Sequence, residues 1–331
     1  MAAAYLWILV AAAFFACQFV FSKLYQCRTD GSLQANLWMV ELQGIWMLLI
    51  FFPVNRFALT ATPQAAGYAL AYALSSICCT VASIWAVSMG KLVTVTLYTM
   101  IGGQAVPFVY GLLFTHAAPT WLDYLGFALI VTSCLPGALA PQPVQEKTGR
   151  GSRRLFLLLC MVVFFGNGFV SVFSDVNAKS PHGAASTDFL LLCALWMLAF
   201  ASVLLVWQTL RCRRRGARGA QALWGCIRRP SAAADAAAAV SARGLLAVFG
   251  IAGAYTALNG LGNIFSLRAA AVPGMQSSVQ FPLLNAAIML LTTLLGRVVF
   301  HEKVSRRDAV GLLMLILGIL LFMASFLLYG R

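Results

Sequence analysis

The chain has 331 residues, 61% of them hydrophobic and only 10% charged, with a mean hydropathy of +0.87. A soluble domain runs at roughly 45–50% apolar and about 25% charged, so composition excludes a soluble globular protein and the domain counting that goes with one. The net charge of +14 does not argue for nucleic acid, because the basic residues lie in short loops between apolar runs, where they set topology and meet anionic lipid.

A helix needs about 20 apolar residues to cross the hydrocarbon core, and it satisfies each backbone donor within its own segment. In chain order the sequence predicts ten spans, over about 4–22, 34–54, 66–89, 92–114, 121–139, 154–176, 187–208, 244–267, 274–299 and 308–328. The first opens MAAAYLWILV with no basic leader and reads as a span rather than a cleaved signal. The second, ANLWMVELQGIWMLLIFF from Ala35 to Phe52, carries Glu41 roughly 10 Å deep at about 1.5 Å per residue. A lipid-facing carboxylate there costs several kcal/mol, so Glu41 should face the bundle, a neighbouring helix or a water-filled cavity. A carboxyl removed from water favours its protonated form, which makes Glu41 a candidate proton carrier. The alternative is a structural, hydrogen-bonded glutamate nearer the interface. Gln43 lies about 200° around the same helix, so the two should meet different neighbours.

The other spans carry scattered polar groups. Gln18 lies in the first, Tyr98 and Gln104 in the fourth, Asn167 in the sixth, Asn259 and Asn263 in the eighth, and Gln280 and Asn285 in the ninth. Interhelical hydrogen bonding explains most such residues. The stretch SSVQFPLLN is more informative, because Pro282 removes a donor and frees the carbonyl of Ser278 four residues back. MIGGQAVP in the fourth span pairs Gly102 and Gly103 with Pro107. Pro107 and Pro282 are therefore expected to break or kink their helices. Two Gly/Pro-interrupted helices at corresponding positions point to a transporter binding site. The expected substrate-binding or coupling set is Glu41, Gln18, Tyr98, Gln104, Asn167, Asn263, Gln280 and Asn285.

The second five spans resemble the first five. FFACQFV (Phe14 to Val20) is answered by FFGNGFV (Phe164 to Val170). Gly111, His116, Asp123 and Gly126 match Gly296, His301, Asp308 and Gly311 at one offset of 185 residues. A fixed offset with a repeated span count indicates duplication. The expected fold is all-α and integral to the membrane, with ten transmembrane helices in two inverted five-helix repeats, 1–145 and 146–331. An odd number of helices per repeat forces the inversion, an architecture common among secondary transporters. The second repeat carries a basic loop at 209–243, read as a solvated loop that fixes orientation, within which AAADAAAAV is expected to form a short surface helix. All of the 23 basic residues except Arg56, Lys179, Arg268 and Arg331 fall in loops on one side, which by the positive-inside rule puts both termini outside the cytoplasm.

Little points to catalysis. The three histidines fall in predicted loops, and neither HExxH, GxSxG nor GxxxxGK[ST] occurs. The nine cysteines form no CxxC, and their odd number argues against a closed disulfide framework. No cofactor, metal or enzymatic activity is expected.

The stretch FPLLNAAIMLLTTLLGRVVFHEKVSRRDAVGLLMLILGILLF, Phe281 to Phe322, resembles the closing helix pair of EamA-type carriers in the drug/metabolite transporter superfamily. Pro282, Gly296, Phe300, Glu302, Lys303, Val304, Ser305 and Gly311 carry the resemblance. The first half departs from it, with FTHAAPTWLD in place of the acidic motif. The resemblance implies a carrier of small metabolites or drugs, with a central cavity between halves and alternating access. It also implies cytoplasmic termini, against the charge distribution. The expected function is secondary active transport of a small molecule, with export and proton coupling as candidates. A non-transporting sensor or scaffold, or less favourably an intramembrane enzyme, are the alternatives. The expected partners are the substrate, protons as candidate coupling ions, and membrane lipid, without nucleic acid. A monomer suffices and a dimer is compatible. The expected location is a bacterial cytoplasmic (inner) membrane.

Overall fold

The computed structural model describes residues 2–30, 32–89, 92–115, 118–133, 150–214, 224, 226–227, 242–300 and 306–329. These form ten helices: α1 (Ala2–Arg28), α2 (Leu33–Val54), α3 (Pro63–Met89), α4 (Leu92–Phe114), α5 (Trp121–Ser133), α6 (Arg150–Lys179), α7 (Ser186–Arg214), α8 (Ala242–Ala270), α9 (Ser277–Phe300) and α10 (Arg306–Tyr329). Among the described residues eight helices are long and apolar enough to cross a membrane, and no β-strand longer than an isolated bridge occurs. The chain is an all-helical, multi-pass membrane protein. The surface agrees: Leu6, Val203, Leu246, Val298 and Leu327 all stand exposed, as lipid-facing side chains must. His116, His301, Glu302, Lys303, Val304, Ser305 and the AAADAAAAV segment lie outside the described residues.

Polar caps set several boundaries. Ser32 precedes α2 and its Oγ accepts the Ala35 amide at 3.2 Å. Thr120 and Asp123 form a reciprocal cap on α5, with the Thr120 amide donating to Asp123 Oδ2 at 2.7 Å and the Asp123 amide to Thr120 Oγ1 at 3.3 Å. α2 ends at Asn55, after which Arg56 and Phe57 both take the left-handed region, with φ of 55° and 57°. Asp188 in the first turn of α7 accepts from Asn55 Nδ2 and the Thr60 hydroxyl, tying this turn to the end of α2.

Neither proline breaks its helix: of the expected break or kink the break does not occur, since α4 runs through Pro107 and α9 through Pro282 without interruption. Each removes one ladder bond, but the surrounding bonds face no competing water in an apolar bundle.

Packing runs mainly between the first five helices and the last five. α1 lies against α8 and α9, α6 against α3 and α4, and α2 against α7 and α8. Helix directions follow from specific contacts. Asn55, Gly44 and Glu41 of α2 meet Asp188, Leu198 and Ser202 of α7 in reverse order. Thr120, Gly126 and Ser133 meet Ser325, Gly318 and Gly311 of α10 in reverse order. Gly111 and Gly103 of α4 meet Ser278 and Asn285 of α9, again antiparallel. Glycines bring α4 and α6 closest: a Cβ on Gly102 would lie 2.1 Å from the Phe164 carbonyl oxygen, and one on Gly168 would lie 2.4 Å from Val106. Small residues permit such approach in membranes, where dispersion rather than hydrophobicity drives helix association.

A fragment of the basic loop docks on the α1–α2 turn. Thr29 bridges Ile227, the Asp30 amide donates to the Cys226 carbonyl at 2.8 Å, and Trp224 stacks on Trp38 at 3.9 Å. Burial, with Asp30 nearby, pushes the Cys226 thiol up to about 12. The eight described cysteines are all free thiols.

Candidate functional site

A cavity of about 290 Å³ lies where α1, α4, α6, α8 and α9 converge, with Tyr72 of α3 at its edge. Its wall is built from carboxamides and hydroxyls set among aromatic and aliphatic side chains. Gln18, Gln104, Asn167, Asn259, Asn263 and Asn285 supply the amides; Thr99, Ser171, Ser174 and Ser266 supply hydroxyls. No carboxylate, ammonium or guanidinium belongs to the described wall.

The amides are held by one another and by helix carbonyls. Gln43 Nε2 donates to Asn259 Oδ1 at 3.1 Å, and Asn259 Nδ2 to Gln18 Oε1 at 2.8 Å. Asn263 Nδ2 donates to the carbonyl and to Oδ1 of Asn259, at 2.9 and 3.1 Å. This chain of amides ties α2, α8 and α1. Across the cavity, Asn167 Nδ2 donates to the Thr99 carbonyl at 2.8 Å. Asn285 Nδ2 donates to the carbonyls of Phe281 at 3.0 Å and Gly103 at 3.2 Å. Gln104 differs: it has zero exposure, and among the described residues neither its Oε1 nor its Nε2 has a partner.

Of the residues singled out in the sequence, Gln18, Gln104, Asn167, Asn263 and Asn285 thus come together on one wall. Gln280 does not reach it. Fully buried, it donates from Nε2 to the carbonyl of Ser266 at 2.8 Å, a positioning contact between α9 and α8. Tyr98 packs against the buried cluster of Ala82, Ala86, Leu159 and Val163 on the α3–α6 seam, while its neighbour Thr99 lines the cavity. Glu41 stands apart on the α2–α7 seam: Oε1 accepts from the Ser202 hydroxyl at 2.8 Å, and Oε2 is buried with no partner among the described residues. Gln43, on the other side of α2, meets α8 instead, as the angle between them required.

A charged cluster begins at the residue after Ser174. Lys179 Nζ contacts Asp175 Oδ1 at 2.7 Å and donates to Ser277 Oγ at 2.9 Å, and Ser277 Oγ donates to Asp175 Oδ2 at 2.5 Å. Asp175 is 1% exposed and Ser277 wholly buried. The triad clips the end of α6 to the start of α9. Sequence reasoning placed Lys179 in a loop and passed over Asp175; the signal was their four-residue spacing, which puts both on one helix face. Among the described residues no group of His, Cys, Asp or Glu could hold a metal ion.

No family model and no curated protein matches the chain. A solved structure described as "Crystal structure of protein" is similar over 100% of this chain and 99% of that one, with a TM-score of 0.67 at 11% sequence identity. At that identity the likeness concerns the fold alone.

Proposed function

We propose that this protein is a secondary transporter that carries a small molecule across the membrane by alternating access through the amide-lined cavity. The observation that carries the reading is the cavity itself: a polar chamber inside an apolar bundle, walled by helices from both halves of the chain. Polar groups within a membrane bundle are costly and mark solute pathways. A site at the junction of two halves is where rocking of one against the other exchanges access between the two sides.

The repeat architecture supports the same reading. The pairs α2/α7, α4/α9 and α5/α10 each cross antiparallel, and exchanging each helix for the one five places along maps the α1–α8 and α1–α9 contacts onto α6–α3 and α6–α4. These are the relations expected of two inverted five-helix repeats. The resemblance to EamA-type carriers points the same way. Glu41 and Asp175 are the carboxyl groups placed to take part in proton coupling, Glu41 on the seam between α2 and α7 and Asp175 at the end of α6.

The test is solute flux into proteoliposomes holding the purified protein, with a metabolite panel and an imposed pH gradient. Saturable, protein-dependent uptake is expected. Binding without flux of any bound compound would refute transport and favour a sensor.

A further inference from the structure

We infer that the cavity recognises an uncharged cyclic amide, a flat ring that presents an N–H donor beside a carbonyl acceptor, as uracil and hypoxanthine do. This rests on the cavity being the substrate site. Charge is the first discriminator. With no ionised side chain on the described wall, a phosphate, carboxylate or ammonium would shed its hydration without a counter-ion, which is strongly unfavourable. Asp175, the residue after Ser174 on the wall, is paired with Lys179.

Gln104 is the second discriminator. Buried polar atoms almost always find partners, yet this side chain keeps a donor and an acceptor unpaired in the wall. A carboxamide pairs edge-on with a cyclic amide through two parallel hydrogen bonds, the geometry by which Gln and Asn read a base edge. The neighbouring amides leave matching groups over. Asn167 and Asn285 spend their Nδ2 on helix carbonyls, and among the described residues nothing donates to their Oδ1 atoms, which can take a further ring N–H. Phe15, Tyr72 and Phe281 on the same wall offer faces and edges to a flat ring. The volume of about 290 Å³ lies at the lower end of small-molecule sites, suited to a base or a nucleoside.

The experiment is calorimetric titration of the purified protein with uracil and hypoxanthine, with uridine monophosphate and toluene as controls for charge and for flatness alone. Wild type should bind at least one of the two cyclic amides and neither control. Gln104→Leu should weaken that binding by about 30-fold, two neutral hydrogen bonds' worth. Its unfolding midpoint without ligand should stay level or rise, because an unpaired buried amide has been removed. Asn285→Ala serves as an independent variant, with a weakening of about fivefold expected. Failure of both cyclic amides to bind wild type, tighter binding of the monophosphate, or unchanged affinity in both variants would overturn the inference. Uptake of labelled uracil or hypoxanthine separates the two readings. Binding without uptake sinks transport and leaves the site standing. Saturable uptake of a charged solute, with no cyclic amide bound, leaves transport standing and sinks the site.

Discussion

The clip between α6 and α9 allows a quantitative test. Lys179→Met removes the cation and leaves the Asp175 carboxylate, 1% exposed, with only the Ser277 hydroxyl. Breaking a fully buried pair costs about 3–5 kcal/mol, whereas an exposed pair contributes about 0.2–1 kcal/mol. Lys179 itself retains 29% exposure, so water screens part of the interaction, and a loss of roughly 2–3 kcal/mol is expected between these limits. Asp175→Asn should cost less, because the amide keeps a hydrogen bond to Ser277 and the freed lysine reaches water. The double variant Asp175→Asn/Lys179→Met leaves no uncompensated charge and should be more stable than Lys179→Met alone, with a coupling energy of about 1–2 kcal/mol. The assay is equilibrium unfolding in mixed micelles followed by tryptophan fluorescence. Single variants that each lose under about 0.5 kcal/mol, or a double variant that is the plain sum of the singles, would refute the reasoning.

The closest helix approach gives a paired prediction. Gly102→Ala sets a Cβ 2.1 Å from the Phe164 carbonyl oxygen, backbone that no rotamer change can move, so a loss of about 1–3 kcal/mol is expected. Gly67→Ala in α3 meets nothing within 4 Å and should be neutral or gain up to about 1 kcal/mol from helix propensity; equal effects in the same unfolding assay would contradict the packing. Cys226, 3% exposed and pushed up to about 12, should resist maleimide at pH 8 in a variant carrying that cysteine alone, and react at least 100-fold faster once unfolded. Its folded pKa lies above that of a free thiol, about 8.5, so the associated stability is whole below pH 8.5 and falls as pH rises toward 12; fast labelling of the folded protein would show that the loop is not docked. Glu41→Gln should leave ligand affinity in the cavity within about twofold, because Glu41 bonds Ser202 and is absent from the cavity wall. A larger loss by calorimetry would return Glu41 to the site.

The helices were legible because an apolar run has few backbone solutions in lipid; of the ten spans read, eight are long and apolar enough to cross a membrane among the described residues. The span read over 34–54 became Leu33–Val54, and the run read over 92–114 became the helix Leu92–Phe114, which is not among those eight. The direction of individual side chains was less legible. Tyr98 and Thr99 differ by about 100° around one helix, and only the position of α6 decides that Thr99 faces the cavity and Tyr98 the seam. Gln280 and Asn285 raise the same problem within α9. Glu41 drew attention by its charge, yet the pairing of α2 with α7 decides that its partner is Ser202, 161 residues away. Residue type exposes a polar group in a span; its neighbour is a property of the assembled bundle.

The proposed repeat is most legible at the closing helix pair for a related reason. In the proposed inverted arrangement α5 and α10 cross at the axis that exchanges the halves, so each contact between them occurs twice. A Cβ on Gly126 would lie 3.0 Å from the Gly318 carbonyl oxygen; a Cβ on Gly311 would lie 2.6 Å from the carbonyl of Ser133. The 185-residue offset that matches Gly126 to Gly311 also matches Ser133 to Gly318. Both positions must therefore stay small in both halves for the crossing to close. In the same proposed arrangement Gln18 of α1 answers to Gly168 of α6. The amide at Gln18 then joins the network to Asn259, and the glycine lets Val106 and α4 approach. Under that arrangement two equivalent positions do different work, one carrying an amide of the cavity wall and the other a close helix contact.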